Sequence, residues 1–372
     1  MYLAHLSITN FKNIESAELD FSPNINCIVG DNGEGKTNLL DAIYHLSMAK
    51  SCFGGSDISH IRHKEPFFLL QGRYKLPDTE ETISCGVQRS EGKTLKRNGK
   101  TYDRLSDHLG FLPLVVVSPT DNELINESGE ERRKYLNTLL VQIDNEYLNA
   151  ITHYNHLLSQ RNKLLKSGDW HSISELLLTI NERMSHYAQI VYERRKSFVQ
   201  GLQPFFLSLY KILSEDKESV SLCYRSDLES APLDELLRQN AERDRIMQHT
   251  TVGVHRDDLT MKLGDHTLRH IGSQGQQKTF LIALKLAQYE FLKKQNQRNP
   301  ILLLDDIFDK LDERRVHQLI ELVAHDSYGQ IFLTDSNKIR LNSIIKNLTQ
   351  DYKIFTTKHG CFMLEDVKTF TT

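Results

Sequence analysis

Eight consecutive residues, Gly30-Asp31-Asn32-Gly33-Glu34-Gly35-Lys36-Thr37, have the types and spacing of a loop that wraps a polyphosphate. Gly30, Gly33 and Gly35 let the backbone curl close to an anion with no Cβ in the way. The N–H groups of the loop and of the first helical turn, through Asn38, then point inward, helped by the helix dipole. Lys36 is placed to reach the β- and γ-phosphates, and the Thr37 hydroxyl to ligate Mg²⁺. Far along the chain, Ile301-Leu302-Leu303-Leu304-Asp305-Asp306 is an apolar run ending in two acids. A buried strand that delivers a carboxylate to Mg²⁺ beside bound phosphates is the Walker B arrangement. Asp305 is the metal candidate with Thr37, and Asp306 is placed to accept a proton from an attacking water. Lys36, Asp305 and Asp306 are the catalytic candidates, and ATP with Mg²⁺ is what they would act on.

The elements that must position these groups are legible around them. Ile25 to Val29 reads as a buried strand before the loop, and Asn38 to Leu46 has helical spacing after it. Residues 1–22 read as a strand pair, and residues 66–118 as mostly β, with Asn98-Gly99 as a hairpin turn. Ser118-Pro119-Thr120-Asp121 reads as a helix start. From there to about residue 212 the pattern is helical. Its stripes, Tyr147 to Leu165 and Ile173 to Phe198, alternate steps of three and four and each skip a turn at an arginine, Arg161 and Arg194. With a turn at 167–170, this is a short antiparallel helical hairpin. A strand near Leu259–Leu263, a helix from Gln276 to Lys294, a strand at Ile301–Leu304, a helix around 314–324 and a strand at 330–334 follow. The division expected is an ATPase lobe at 1–118, a helical lobe at 119–250 and the returning ATPase lobe at 251–372.

Ser273-Gln274-Gly275-Gln276-Gln277-Lys278 opens the helix before the Walker B strand. Ser273 is a natural N-cap and Gly275 permits close backbone approach, making a second anion-binding helix end. Alone this is only a capped helix. Shortly before Asp305 it resembles the signature motif of ABC-type ATPases. That resemblance implies that the signature helix of one copy caps the γ-phosphate held by another, with Ser273, Gly275 and Gln276 as nucleotide contacts. Lys310-Leu311-Asp312 matches that family's D-loop.

Bulk composition narrows the class. The chain has 372 residues, 26% charged and 39% hydrophobic, with a net charge of -3. It reads as globular, and any nucleic acid must be held by local basic patches. The five cysteines are scattered without a C-x-x-C pair, which argues against a disulfide framework or a zinc site and fits a reducing cytoplasm. No stretch approaches membrane-spanning length. His60 with His63, or His153 with His156, lack a third ligand in the sequence pattern and are read as packing or surface residues.

The phosphate loop with its following Asn38 to Tyr44, Ser118-Pro119 with Arg132-Arg133, His255-Arg256-Asp257-Asp258-Leu259, the Ser273–Thr279 motif, and Leu302–Asp306 with Leu311-Asp312 occur in order. Together they resemble the RecF family over nearly the whole chain. The resemblance implies an α/β fold, an ABC/SMC-type P-loop ATPase head of mixed sheet and helices, with a short helical lobe where SMC proteins carry a long coiled coil. It implies an ATP-dependent DNA clamp, dimeric with ATP, acting at gaps and single-/double-strand junctions without sequence preference. The implied partners are RecO and RecR, with RecA loading and the SOS response downstream, in the cytoplasm at the nucleoid. Lys12, in Asn10-Phe11-Lys12-Asn13, stands where related heads place a base near the nucleotide, and equally reads as a solvated turn lysine. Asp306 replaces the Glu usual in transporters, so hydrolysis is expected to be slow. Thr334-Asp335-Ser336 lacks a switch histidine. Val254 and Asp306-Ile307-Phe308-Asp309 depart from the commoner family pattern.

DNA contacts are expected among Lys93, Lys96, Arg97, Lys100 and Arg104, among Arg132, Arg133 and Lys134, and among Arg194, Arg195 and Lys196. Each cluster reads equally as a solvated face. Two other functions stay open: a transporter ATPase subunit, marked by co-purification with a permease, and a scaffold that holds ATP with negligible turnover.

Overall fold

The computed structural model describes residues 1–167, 170–308, 313–323, 328–338, 341 and 351–368. The chain forms two compact units, Met1–Asp121 with Leu284–Thr372, and Asn122–Ala283.

The first unit opens with β1 (Tyr2–Phe11) and β2 (Ile14–Asp20), then β3 (Ile25–Val29), the phosphate loop and α1 (Lys36–Met48). The strands β4 (Phe67–Lys75), β5 (Glu80–Gln88), β6 (Gly92–Arg97) and β7 (Lys100–Thr101) follow. They join β1 and β2 in an antiparallel sheet ordered β2-β1-β4-β5-β6-β7. Strict in–out alternation along β4 buries one face of this sheet. Asn98 and Gly99 both take positive φ in the tight β6–β7 turn, as their sequence demands. After β8 (Leu114–Val117) the chain turns through Pro119–Asn122 as a 3-10 segment.

The second unit begins with the short α2 (Glu123–Asn126) and α3 (Gly129–Leu140), capped by the Ser128 hydroxyl. Ser118 therefore opens a 3-10 turn; the first long helix starts ten residues later, where a serine accepts from the Glu130 N–H. The helical hairpin is α4 (Asn145–Ser167) and α5 (Trp170–Ser214). Residues 168 and 169 of its turn lie outside the described residues. Beyond it come β9 (Val220–Arg225), α6 (Leu233–Gln239), α7 (Ala241–Met247), β10 (Asp258–Leu263), β11 (His266–Thr267) and α8 (Leu268–Ile271). The strands make a sheet ordered β11-β10-β9. This pairing is why the second unit runs to Ala283 and does not end near 250: β10 is hydrogen-bonded along its length to β9 of the same unit. The helix α9 (Gln274–Asn296) starts in the second unit and ends in the first.

Back in the first unit, β12 (Ile301–Leu304), α10 (Glu313–Val323), β13 (Ile331–Asp335), β14 (Tyr352–Lys358) and β15 (Cys361–Lys368) complete the chain. The second six-stranded sheet is ordered β15-β14-β3-β13-β12-β8, parallel except for β15 at its edge. Residues of β3, β8, β12 and β13 are buried throughout, which is why they read as continuous apolar runs without alternation. Phosphate-loop strand and Walker B strand are separated by β13 alone, so their C-terminal ends open at one place.

Buried arginines at the two breaks in the helical stripes hold the second unit together. Arg161 is buried against Asp244 at 2.7 Å, with Thr250 and Asn181 also accepting. The turn skipped at Arg194 is filled by its neighbour. Arg195 is buried, 2.6 Å from Asp257, and donates to the Val254 carbonyl, the Tyr147 hydroxyl and the Asn137 amide oxygen. Arg194 itself is half-exposed and pairs with Asp144 and Glu146.

A nucleotide site in the first unit

The loop between β3 and α1 has the shape its glycines predict. Gly33 and Gly35 have φ of 86° and 106°, in the region open to glycine. A Cβ on Gly30 would lie 2.6 Å from the carbonyl oxygen of Thr357, so no side chain fits there. Lys36 is buried with its ammonium inside the curl, donating to the carbonyls of Gly30 at 2.6 Å and Asp31 at 3.0 Å. Asp31, Asn32 and Gly33 form the exposed rim.

The Thr37 hydroxyl lies 3.1 and 3.0 Å from the two carboxylate oxygens of Asp305. The Thr334 hydroxyl donates to Asp305 at 2.7 Å and accepts the Asp306 N–H at 2.9 Å. Asp305 is nearly inaccessible, and burial raises its pKa above the usual carboxylate value; hydrogen bonds from Thr334 and Thr37 work the other way. A desolvated carboxylate beside a threonine hydroxyl is a hard-oxygen donor pair suited to Mg²⁺. Asp306 sits at a φ of 45°, a strained conformation for a residue with a Cβ. Its carboxylate is half-buried at the end of β12.

Residues that the sequence reading did not single out brace the loop. The Asn13 amide donates to the Gly33 carbonyl at 3.2 Å and accepts from Asn38 at 2.7 Å. On the other side, the β14–β15 turn holds Glu34. The Glu34 carbonyl accepts from the Gly360 N–H at 3.0 Å and the Thr357 hydroxyl at 2.9 Å. Its carboxylate accepts from the His359 N–H. Thr334, ending an apolar strand beside the Walker B strand, carried a readable signal. The turn at 358–361 carried none, because nothing local ties it to a loop more than three hundred residues earlier.

Lys12 is found on Asp41, at 2.6 Å, with its ammonium over the rings of Phe11 and Phe53. Asp41 is fully buried and also accepts from the Ser51 hydroxyl and the Cys52 N–H. Lys12 is thus neither a solvated lysine nor a group free to face the phosphates.

In the second unit, Ser273 and Gln276 form a reciprocal cap. The Gln276 side chain accepts from the Ser273 N–H at 2.8 Å, and the Ser273 hydroxyl accepts from the Gln276 N–H at 3.3 Å. Gln276 also donates to Glu218 at 2.8 Å. Ser273 is exposed and Gly275 half-buried, so the helix end is open to solvent. Lys310, Leu311 and Asp312, and Asp309 before them, lie outside the described residues.

Several basic candidates for DNA are already engaged within the fold. Lys93 is bound by Asp57 and the Ala49 carbonyl, and Arg97 by Glu81 with its guanidinium 3.9 Å from the Phe111 ring. Arg132 is bidentate to Asp258, Arg133 donates to the Asp257 carbonyl, and Arg195 is buried. Lys96, Lys100, Arg104, Lys134 and Lys196 remain exposed.

The fold and this site define an ABC/SMC-type P-loop ATPase head. The family model described as RecF/RecN/SMC N terminal domain matches residues 2–363. A DNA replication and repair protein RecF from Bacteroides thetaiotaomicron is 49% identical over 361 residues, covering 97% of this chain and 98% of that protein. One from Flavobacterium johnsoniae is 45% identical over 95% of this chain and 99% of its own length. The solved structure of a recombination mediator protein RecF with ATP, of the RecFOR pathway, superposes with a TM-score of 0.87 at 28% identity, covering 98% of both chains. An SMC head bound to the C-terminal winged helix domain of ScpA shares the fold, with a TM-score of 0.59. The chain belongs to the RecF family. That membership removes the transporter-subunit reading.

Proposed function

We propose that this chain is an ATP-driven, sequence-independent DNA clamp that mediates recombination at gaps and single-/double-strand junctions. The carrying observation is the division of the ATPase chemistry. The phosphate loop, Thr37, Asp305 and Asp306 converge in the first unit, while an exposed, capped helix end at Ser273 stands in the second. The cap of one copy is suited to close on the γ-phosphate held by another, which makes ATP the glue of a homodimer.

Each residue has a defined task. The loop N–H groups and Lys36 hold the β- and γ-phosphates, with the Lys36 ammonium exchanging its two carbonyl partners for phosphate oxygens. Thr37 and Asp305 would hold Mg²⁺, which would neutralise charge on the phosphate oxygens. Thr334 fixes the Asp305 carboxylate and, through the Asp306 N–H, the backbone that aims Asp306. Asp306 takes the proton of the water that attacks the γ-phosphorus; ADP leaves and phosphate is released. Ser273, Gly275 and Gln276 of the second copy stabilise the γ-phosphate from the far side.

The similarity to RecFOR-pathway mediators supports partnership with RecO and RecR and a downstream effect on RecA loading and SOS induction, in the cytoplasm at the nucleoid. Lys96, Lys100 and Arg104 on the first unit and Lys196 on the second are among the exposed cations available for phosphate contact, with affinity falling steeply with salt.

Solution mass with and without ATP tests the reading. Wild type is expected as a monomer alone and a dimer with ATP. Lys36→Ala is expected to lose ATP binding, and Ser273→Arg to bind ATP yet stay monomeric. Normal ATP-driven dimerisation of Ser273→Arg would sink the trans-capping role. Steady-state turnover no higher in wild type than in Asp306→Asn would favour an ATP-bound scaffold.

A further inference from the structure

We infer that His45, Asp57 and His60 form a metal-binding site in the first unit, with Zn²⁺ the ion their donor set matches. The inference stands apart from the proposed function and uses none of the nucleotide-site residues.

His45 projects from α1, two turns past Thr37; Asp57 and His60 lie at the two ends of the 3-10 turn Asp57–His60 that follows the helix. One ligand atom from each of the three lies within 4.8 Å of the others. His45 is fully buried, and neither of its ring nitrogens has a hydrogen-bond partner. Its Nε2 lies 3.6 Å from Asp57 Oδ1, beyond hydrogen-bonding reach. His60 is buried too. Its Nε2 lies 2.9 Å from the Gly54 carbonyl, which can only accept, so Nε2 carries the proton. The lone pair is then on Nδ1, and Nδ1 has no partner.

An orphaned buried polar atom is costly, and two ring nitrogens with no polar partner, with a third 3.6 Å from a carboxylate oxygen, are hard to explain as packing alone. Among the described residues, the other buried histidine, His108, has both ring nitrogens engaged, as does the half-buried His255.

The surroundings are those of a ligand set. The Gly54 carbonyl on Nε2 supplies the outer hydrogen bond that metal-bound imidazoles normally make. Lys93 grips the other Asp57 oxygen at 2.7 Å, leaving Oδ1 toward His45. Phe11 and Phe68 pack around the His45 ring and make the site apolar. The nearby Lys12 ammonium is already matched by Asp41. Two imidazoles with one carboxylate suit Zn²⁺ and leave a fourth position open; Mg²⁺ prefers oxygen alone. A bound ion would tie the phosphate-loop helix to the segment that follows it.

The test uses the full chain stripped with EDTA, then titrated with Zn²⁺ against a chromophoric chelator and, separately, with Co²⁺ followed by visible absorption. The expected result is one equivalent of Zn²⁺ and a four-coordinate Co²⁺ spectrum. Asp57→Asn and His60→Gln should lose more affinity than the roughly 10–100-fold that removal of an outer hydrogen-bond partner costs. Replacing the exposed neighbour, His63→Gln, should change nothing. A wild-type chain that takes up no stoichiometric Zn²⁺ overturns the site outright and needs no variant. Uptake undiminished in folded Asp57→Asn and His60→Gln places the ion elsewhere and overturns it equally.

Discussion

Thr37 and Asp305 face each other across the mouth of the phosphate loop, the hydroxyl at 3.1 and 3.0 Å from the two carboxylate oxygens. Residues 268 positions apart in sequence meet here because the strands before each, β3 and β12, flank β13 in a parallel sheet. The arrangement also separates two tasks. Thr37 belongs to the loop, whereas Thr334 touches only the Walker B carboxylate and the backbone of Asp306.

That separation predicts different kinetics for two conservative changes. Thr334→Val removes a donor to Asp305 and an acceptor for Asp306 N–H while keeping the shape. A loss of about 1–3 kcal/mol of positioning corresponds to roughly 10–100-fold in turnover, with ATP affinity little changed. Thr37→Val should instead weaken Mg²⁺-dependent ATP binding. Steady-state turnover measured beside nucleotide binding checks the contrast; equal loss of affinity in both variants would refute it.

Lys12 should behave as a stability residue. Asp41 is fully buried, and removing its cation leaves a charge with only the Ser51 and Cys52 hydrogen bonds. Lys12→Ala is therefore expected to destabilise the fold by about 3 kcal/mol, the lower end of the range for breaking a buried pair. The double change Lys12→Met with Asp41→Leu should recover much of it. Chemical denaturation of the wild type and the two variants decides; a Lys12→Ala chain as stable as wild type would return Lys12 to the nucleotide site.

Much of this was readable because it is local. The phosphate loop, the Ser273 cap and the apolar run ending at Asp305 each declare themselves within a few residues. The partners of charged groups were not readable. Arg132, Arg133 and Arg195 look like surface cations in sequence, yet each is spent on Asp257 or Asp258, more than sixty residues away. The unit boundary was misplaced for the same reason: the signal for β10 was local, but its pairing with β9 was not. His60 was set aside for want of a third ligand, which α1 and the turn beginning at Asp57 supply only once the chain has folded.

Stability should fall with acid in a defined window. His255 is half-buried, with Tyr154 donating to Nδ1 and Nε2 donating to the Thr250 carbonyl, a neutral ring on both counts. Burial lowers its pKa from 6.5 to about 4. Between those values the unfolded chain takes up a proton that the folded chain refuses. The contribution is fully present above pH 6.5 and is lost progressively toward pH 4, by at most about 3 kcal/mol. His60 and His108, also lowered by burial, act with the same sign. His255→Gln can keep both hydrogen bonds without titrating, so its stability–pH curve should be flatter than wild type across that window. Superimposable curves would show that His255 does not carry the effect.

The β14–β15 turn offers the last prediction, because it acts on the nucleotide from outside the motif. Gly360 has a φ of 77°, and a Cβ there would lie 2.6 Å from the Asn13 carbonyl. Its N–H meanwhile holds the Glu34 carbonyl, and Asn13 holds that of Gly33. Gly360→Ala therefore pushes the two braces of the loop apart at once, through backbone that has nowhere to yield. ATP affinity is expected to drop about tenfold or more, a change of roughly 1.4 kcal/mol, although residue 360 is no part of the phosphate-binding sequence. His359→Ala, which keeps the backbone N–H on Glu34 and removes only an exposed ring, should bind ATP as wild type does. Calorimetric titration of both variants separates a backbone brace from a side-chain contact: strong loss in His359→Ala with normal binding in Gly360→Ala would reverse the assignment.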